Sequence, residues 1–204
     1  MSTLAITSVT NFLLAGEVLF LAGRLVQAAQ KRYSASWYWA GMLLLLGLAS
    51  LAGGIDHGFF EPAHQPRYWI QRLTWVLLAG MTFCLLQSTA KQFFTPRWQR
   101  IVLRLGVAQS TAVTAVMLLV DNFLVVIVNY APVMLVLLVV NTLGLRDGTG
   151  SRNITTGLLV MAAASAVQQF GPDAFSPLDH NGLYHLMAMA GVIFLYRGGR
   201  ELKA

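Results

Sequence analysis

The run Ser36–Phe60, SWYWAGMLLLLGLASLAGGIDHGFF, decides the fold class of this chain. Its first 20 residues carry no charge, and about 20 predominantly apolar residues are enough for an α-helix to cross the hydrocarbon core of a membrane. Six other runs have the same character, at 8–30, 68–92, 98–120, 123–145, 152–170 and 182–199. The sequence therefore predicts seven membrane-spanning helices.

The composition of the whole chain agrees with this prediction. Of the 204 residues, 56% are hydrophobic and only 11% are charged, and the mean hydropathy is +0.63. A soluble domain carries about 25% charged residues. Seven spans with short loops use nearly the full length, so we expect an all-α protein in which residues 1–204 form a single seven-transmembrane-helix domain.

Basic residues lie mainly on one side of this seven-span arrangement. The connections on that side and the adjoining span ends carry 12 of the 14, namely Arg24, Lys31, Arg32, Lys91, Arg97, Arg100, Arg104, Arg146, Arg152, Arg197, Arg200 and Lys203. Because lysine and arginine are retained on the cytoplasmic side of membranes, we expect an inner (plasma) membrane protein with its N-terminus outside and its C-terminus in the cytoplasm. The net charge of +6 then reflects topology, and nucleic acid is not an expected partner.

The opposite side holds all four histidines and six of the eight acidic residues. Asp56-His57 closes the second span after Gly53-Gly54, where the glycines allow a neighbouring helix to approach closely. Asp179, His180 and His185 open the last span, with Asp179 or Asn181 as a candidate N-cap. Histidine is the commonest metal ligand and a ready proton carrier, so we expect the functional site on this side. His64, in the loop between them, is expected to be exposed.

Helix geometry limits which of these side chains can share one ion. Asp56 and His57 point about 100° apart on a helix. Either one binds an ion while the other orients a neighbouring ligand, or the two form a pair solvated at the membrane surface. His180 and His185 lie about 140° apart on a continuous helix. Both reach one ion only if His180 is still in the loop, and otherwise they are interfacial residues.

Glu17 lies about ten residues into the first span. An acid within the bilayer is a functional candidate by default because burying its charge is costly. Glu17 is therefore either a proton carrier or a structural acid bonded to Arg72 or to a hydroxyl.

This arrangement resembles the CREST superfamily of seven-span membrane proteins, which includes alkaline ceramidases, adiponectin-type receptors and Per1-type lipid-remodelling proteins. His57 matches the family's histidine near the end of the second span. The run Asn181-Gly-Leu-Tyr-His185-Leu is similar to its closing motif, with His185 at the second histidine position and His180 one residue before the first. Gly53 stands where the family has a serine, and Glu17 resembles an acid found in the first span of alkaline ceramidases.

The resemblance implies zinc held by His57, His180 and His185, with Asp56, Asp179 or Glu17 as proton carrier. A metal-bound water would then hydrolyse an amide or ester of a membrane lipid at the outer face. The alternative is a non-catalytic integral membrane protein, either a subunit of a larger membrane complex or a protein that binds a ligand or pigment between its helices.

Overall fold

The computed structural model describes residues 3–29, 31–63, 66–171 and 178–203, and over these residues the chain forms seven α-helices. They are α1 (Thr3–Ala28), α2 (Ala35–Ile55), α3 (Tyr68–Phe93), α4 (Pro96–Leu119), α5 (Leu124–Gly144), α6 (Arg152–Phe170) and α7 (His180–Gly199). The all-α class and the seven predicted helical runs are confirmed. One feature was not predicted: α2 continues as a π-helical turn, Asp56–Phe60. The expectation for His64 lies outside the described residues.

Five of the helices in the described part of the chain are long and apolar enough to cross a membrane. These are α1, α2 together with its π-helical turn, α3, α4 and α5. The other two are shorter, with 19 residues in α6 and 20 in α7. Length and composition are therefore compatible with a membrane protein.

The core of the bundle lies where α1, α2 and α7 meet. α2 packs between α1 and α3, and α7 packs against α6 and α1. Trp39 is fully buried there and its indole Nε1 donates to the Leu195 carbonyl at 2.9 Å. α4 stands at the edge, where it packs mainly on α3 and buries only Gly106 and Met117.

Hydrogen bonds between helices separate the bundle into two ends. At the first end the start of α2, the end of α3, the loop before α6 and the C-terminal segment meet: Ser36 N donates to Lys203 O, Ser88 Oγ to Ala35 O and Gln92 Nε2 to Thr149 O, at 3.3, 2.8 and 2.8 Å. We call this the basic end, because the basic connections converge on it. The other, which we call the histidine end, joins the start of α1 to the end of α2 and the start of α7.

Candidate functional site

Close packing between α1 and the end of α2 shapes the histidine end. A methyl group on Gly54 would lie 2.8 Å from the Phe12 ring, and one on Gly58 would lie 2.5 Å from Ser8 Oγ. Ser8 Oγ also donates to the Gly54 carbonyl at 2.7 Å. The predicted close approach at the glycines is confirmed, and the neighbouring helix is α1. π-Helical turns frequently occur at functional sites, and this one carries Asp56 and His57.

Four charged or ionisable side chains around the π-helical turn form one network, the charge cluster: Asp56, His57, Glu61 and Arg67. The guanidinium of Arg67 donates from Nε and Nη2 to the two oxygens of Asp56, at 2.8 and 2.7 Å. Its Nη1 lies 2.8 Å from Glu61 Oε1, while His57 Nδ1 lies 2.6 Å from Glu61 Oε2. The hydrogen bonds to Asp56 raise the pKa of Arg67 above its ordinary value. Asp56 and His57 thus turn to different partners, as their angular offset on a helix predicts.

The start of α7 lies against α1 at the same end. Asp179 is the N-cap, accepting from the Gly182 amide at 2.7 Å and from Thr7 Oγ1 at 3.0 Å. This confirms one of the two predicted caps. His185 is only 5% exposed, and its Nδ1 lies 2.9 Å from Thr10 Oγ1. His180 is the first residue of α7 and does not belong to the preceding loop.

A cavity of about 380 Å³ runs through the bundle between all the helices except α4. This volume falls in the range of about 300–1,000 Å³ typical of small-molecule sites. Most polar residues in its wall cluster at the histidine end: Asn11, Ser50, Asp56, His57, Arg67, Gln71, Thr74, Ser165, Gln168 and His185. Toward the basic end the wall is apolar, formed by Met42, Leu46, Met81, Leu85, Leu158 and Leu195.

The cavity is elongated along the helix axes. On α3 its wall extends from Gln71 to Leu85, which corresponds to about 20 Å at a rise of ~1.5 Å per residue. The hydrocarbon core of a bilayer is about 30 Å thick. A ligand that fills this space is therefore long and narrow, with a polar group at one end only.

The structure brings together some of the predicted site residues and separates others. Asp56, His57 and His185 line the cavity, while His180 and Asp179 do not. Glu17 also lies outside the wall, and among the described residues its Oε2 is buried without a hydrogen-bond partner.

The structural role considered for Glu17 involved Arg72, which bonds elsewhere. Nη2 of Arg72 donates to Asp121 at 3.0 Å, and its guanidinium stacks on the rings of Tyr68 and Trp75.

The three predicted zinc ligands are not gathered into one group among the described residues. Within residues 3–29, 31–63, 66–171 and 178–203, no three His, Cys, Asp or Glu side chains form a group that could hold a metal ion. Nδ1 of His57 is engaged by Glu61 and Nδ1 of His185 by Thr10.

Sequence reasoning missed several polar residues of the cavity wall. Asn11, Ser50 and Gln71 carried no signal that separated them from other polar residues in spans. Arg67 is one of the two basic residues, with Arg72, that do not lie with the other 12. Its proximity to acids was the clue to its ion pairs.

The fold and cavity define the chain as an all-helical bundle with an interior ligand-sized space, in which five of the helices of the described residues are long and apolar enough to cross a membrane. The chain belongs to a family of unknown function (DUF6962), whose model matches residues 6–204. No curated protein and no solved structure matches it.

Proposed function

We propose that this protein is a seven-span integral membrane protein that binds a lipid inside its helix bundle. The observation that carries the proposal is the elongated cavity, which is polar at the histidine end and apolar toward the basic end. A lipid has the same division, with a polar head and an apolar chain, so the two parts of the ligand match the two parts of the cavity. This is the ligand-binding form of the non-catalytic alternative.

The proposal includes the orientation in the membrane. The basic end faces the cytoplasm, because moving its arginines and lysines across the membrane would oppose the insertion bias. The polar part of the cavity then lies at the depth of the outer headgroups, where a lipid of the outer leaflet can reach it. In this orientation the protein lies in the inner (plasma) membrane with its N-terminus outside the cell.

Cysteine labelling in intact cells tests the orientation. Ala63 is an exposed residue beyond the π-helical turn, and Thr149 lies in the loop before α6. In a Cys84→Ser background, Ala63→Cys should react with a membrane-impermeant thiol reagent, and Thr149→Cys should react only after permeabilisation. The opposite result would place the histidine end in the cytoplasm and remove the argument for an outer-leaflet lipid.

Lipid binding itself is tested by obstructing the cavity. Ala49 is buried in the cavity wall, so Ala49→Phe places a ring in the space that the chain of the ligand would fill. The matched control is Val128→Phe, on the exposed surface of α5. We expect lipid to copurify with the wild-type protein and with the control, in about equimolar amount, and to be lost from Ala49→Phe.

A second substitution that obstructs the cavity, Leu46→Trp, keeps the test valid if Ala49→Phe does not fold. Its melting temperature should remain close to that of the wild type while bound lipid is lost. A wild-type protein that neither retains nor takes up lipid would overturn the proposal. Lipid that persists in both folded variants would place the binding site elsewhere.

Metal-dependent lipid hydrolysis, as the resemblance to the CREST superfamily implies, is a second proposal. It is favoured by one observation, which is that His57 and His185 line the same cavity. The test is the zinc content of purified protein. About one zinc per chain, lost in a His57→Ala, His185→Ala double variant, would support the hydrolase. Zinc-free protein that still binds lipid would refute the hydrolase and support lipid binding as the function.

A further inference from the structure

We infer that the cavity takes a single-chain lipid whose head is uncharged and carries hydroxyl or amide groups. This inference rests on the proposed lipid binding and specifies the chemical class of the ligand. The alternatives are the charged heads of single-chain lipids, namely a carboxylate, a phosphate or an ammonium group.

The charged groups at the polar end of the cavity are already paired with one another. All three guanidinium nitrogens of Arg67 are engaged, two by Asp56 and one by Glu61. An anionic head could recruit Arg67 only by breaking these bonds, and Asp56, at 5% exposure, would become a buried carboxylate without a counter-ion. Losing the partner of a buried ion pair is strongly destabilising.

A cationic head is disfavoured by the same cluster. Both oxygens of Asp56 accept from Arg67, and both oxygens of Glu61 are engaged, by Arg67 and His57. An ammonium group that approached Asp56 would lie beside the guanidinium and be repelled by it. Within the charge cluster, neither sign of charge finds a vacant partner.

Neutral hydrogen-bonding groups, in contrast, remain unused. Asn11 is 6% exposed and Ser50 is 8% exposed, and both line the cavity. Neither side chain has a hydrogen-bond partner among the described residues, and the same holds for Gln71. An amide side chain offers two donors and one acceptor group, and those of Asn11 and Gln71 lie in the cavity wall. A hydroxyl or amide of the ligand would supply the missing partners.

The apolar part of the cavity fits one hydrocarbon chain. Its wall continues from Thr74 and Trp75 down to Leu85 on α3, and from Ala49 to Met42 on α2. The ligand is therefore a long-chain lipid such as a monoacylglycerol or an N-acyl amino alcohol, chosen by its head.

The test compares three ligands with the same chain length, a monoacylglycerol, a free fatty acid and an alkylamine, on the full-length protein in detergent at neutral pH. We expect the monoacylglycerol to bind at least about tenfold more tightly than either charged ligand, which is the discrimination that unpaired buried polar groups produce. Asn11→Leu should weaken monoacylglycerol binding by about tenfold and leave the fatty acid unchanged. Asn153→Leu, at the basic end, is the matched control and should bind as the wild type.

The outcomes separate this inference from the proposed function. Binding of the fatty acid or of the amine in preference to the monoacylglycerol would overturn the uncharged head and leave lipid binding standing. Failure of all three ligands to bind would overturn both. If Asn11→Leu does not fold, Ser50→Ala tests the same contact with the head of the ligand. Wild-type selectivity in folded variants at both positions would refute the role of these two side chains.

Discussion

Arg67→Met tests whether the charge cluster holds α3 to the end of α2. The substitution removes three hydrogen bonds, two to Asp56 and one to Glu61. The Asp56 side chain is 7% exposed and the Arg67 side chain 27%. Breaking a fully buried pair costs about 3–5 kcal/mol, whereas an exposed pair contributes about 0–1. Because Arg67 is partly solvated, we expect a loss of about 2–3 kcal/mol.

The physical reason can be isolated with a second substitution. If the loss comes from leaving Asp56 charged and unpaired, Asp56→Asn in the Arg67→Met background should recover at least about 1 kcal/mol, as a positive coupling energy between neighbouring sites. Arg97→Met is the matched control. Arg97 is exposed and has no ion pair among the described residues, so its loss should change stability by less than about 0.5 kcal/mol.

The measurement is the free energy of unfolding from titration with sodium dodecyl sulfate in mixed micelles, supported by the melting temperature of each variant. A double variant no more stable than Arg67→Met alone would refute the reasoning, because the unpaired carboxylate would then carry no penalty. An equal loss in Arg97→Met would show that the effect is general to basic residues.

Two further substitutions test the packing of the bundle and should be measured in the same assay. Gly198→Ala should destabilise by about 1–3 kcal/mol, because the added methyl would overlap the side chain of Ile154 and lie 2.8 Å from its backbone nitrogen. The control is Gly16→Ala, which has open space around it and should not destabilise the protein. Equal losses in the two variants would contradict the contact. Arg72→Ala should cost about 2 kcal/mol, because Arg72 is only 3% exposed and its guanidinium stacks on two aromatic rings. Asp121→Asn should cost less than about 1 kcal/mol, because the Asp121 carboxylate is 79% exposed. The reverse order would show that the ion pair contributes more to stability than the stacking.

The helices of this protein follow from local properties of its sequence. Each uninterrupted apolar run of about 20 residues becomes a helix, because in an apolar environment a helix satisfies its own backbone hydrogen bonds. The uneven distribution of basic residues also predicted which connections share an end. That prediction requires only that successive helices run in opposite directions. Short loops such as 120–123 force two neighbouring helices to do so.

The π-helical turn at Asp56–Phe60 was not predictable from these signals. A regular α-helix also satisfies the hydropathy of the run, and the close packing of Gly54 and Gly58 against Phe12 and Ser8 is visible only in the structure. The offset between Asp56 and His57 was predictable, since any helix turns consecutive side chains apart. Their partners were not, because Arg67 reaches back from beyond a loop.

The sequence by itself determined where the helices lie, which end holds the histidines and which residues were candidates for chemistry. Only the tertiary structure decided which of them meet. Thr10 and His185 are 175 residues apart and hydrogen-bonded, while His180, five residues from His185, does not line the cavity that His185 lines. Hydropathy and helical period report the environment of a residue within its own helix, whereas a cavity is formed by the faces of several helices, whose rotations are set by packing against one another.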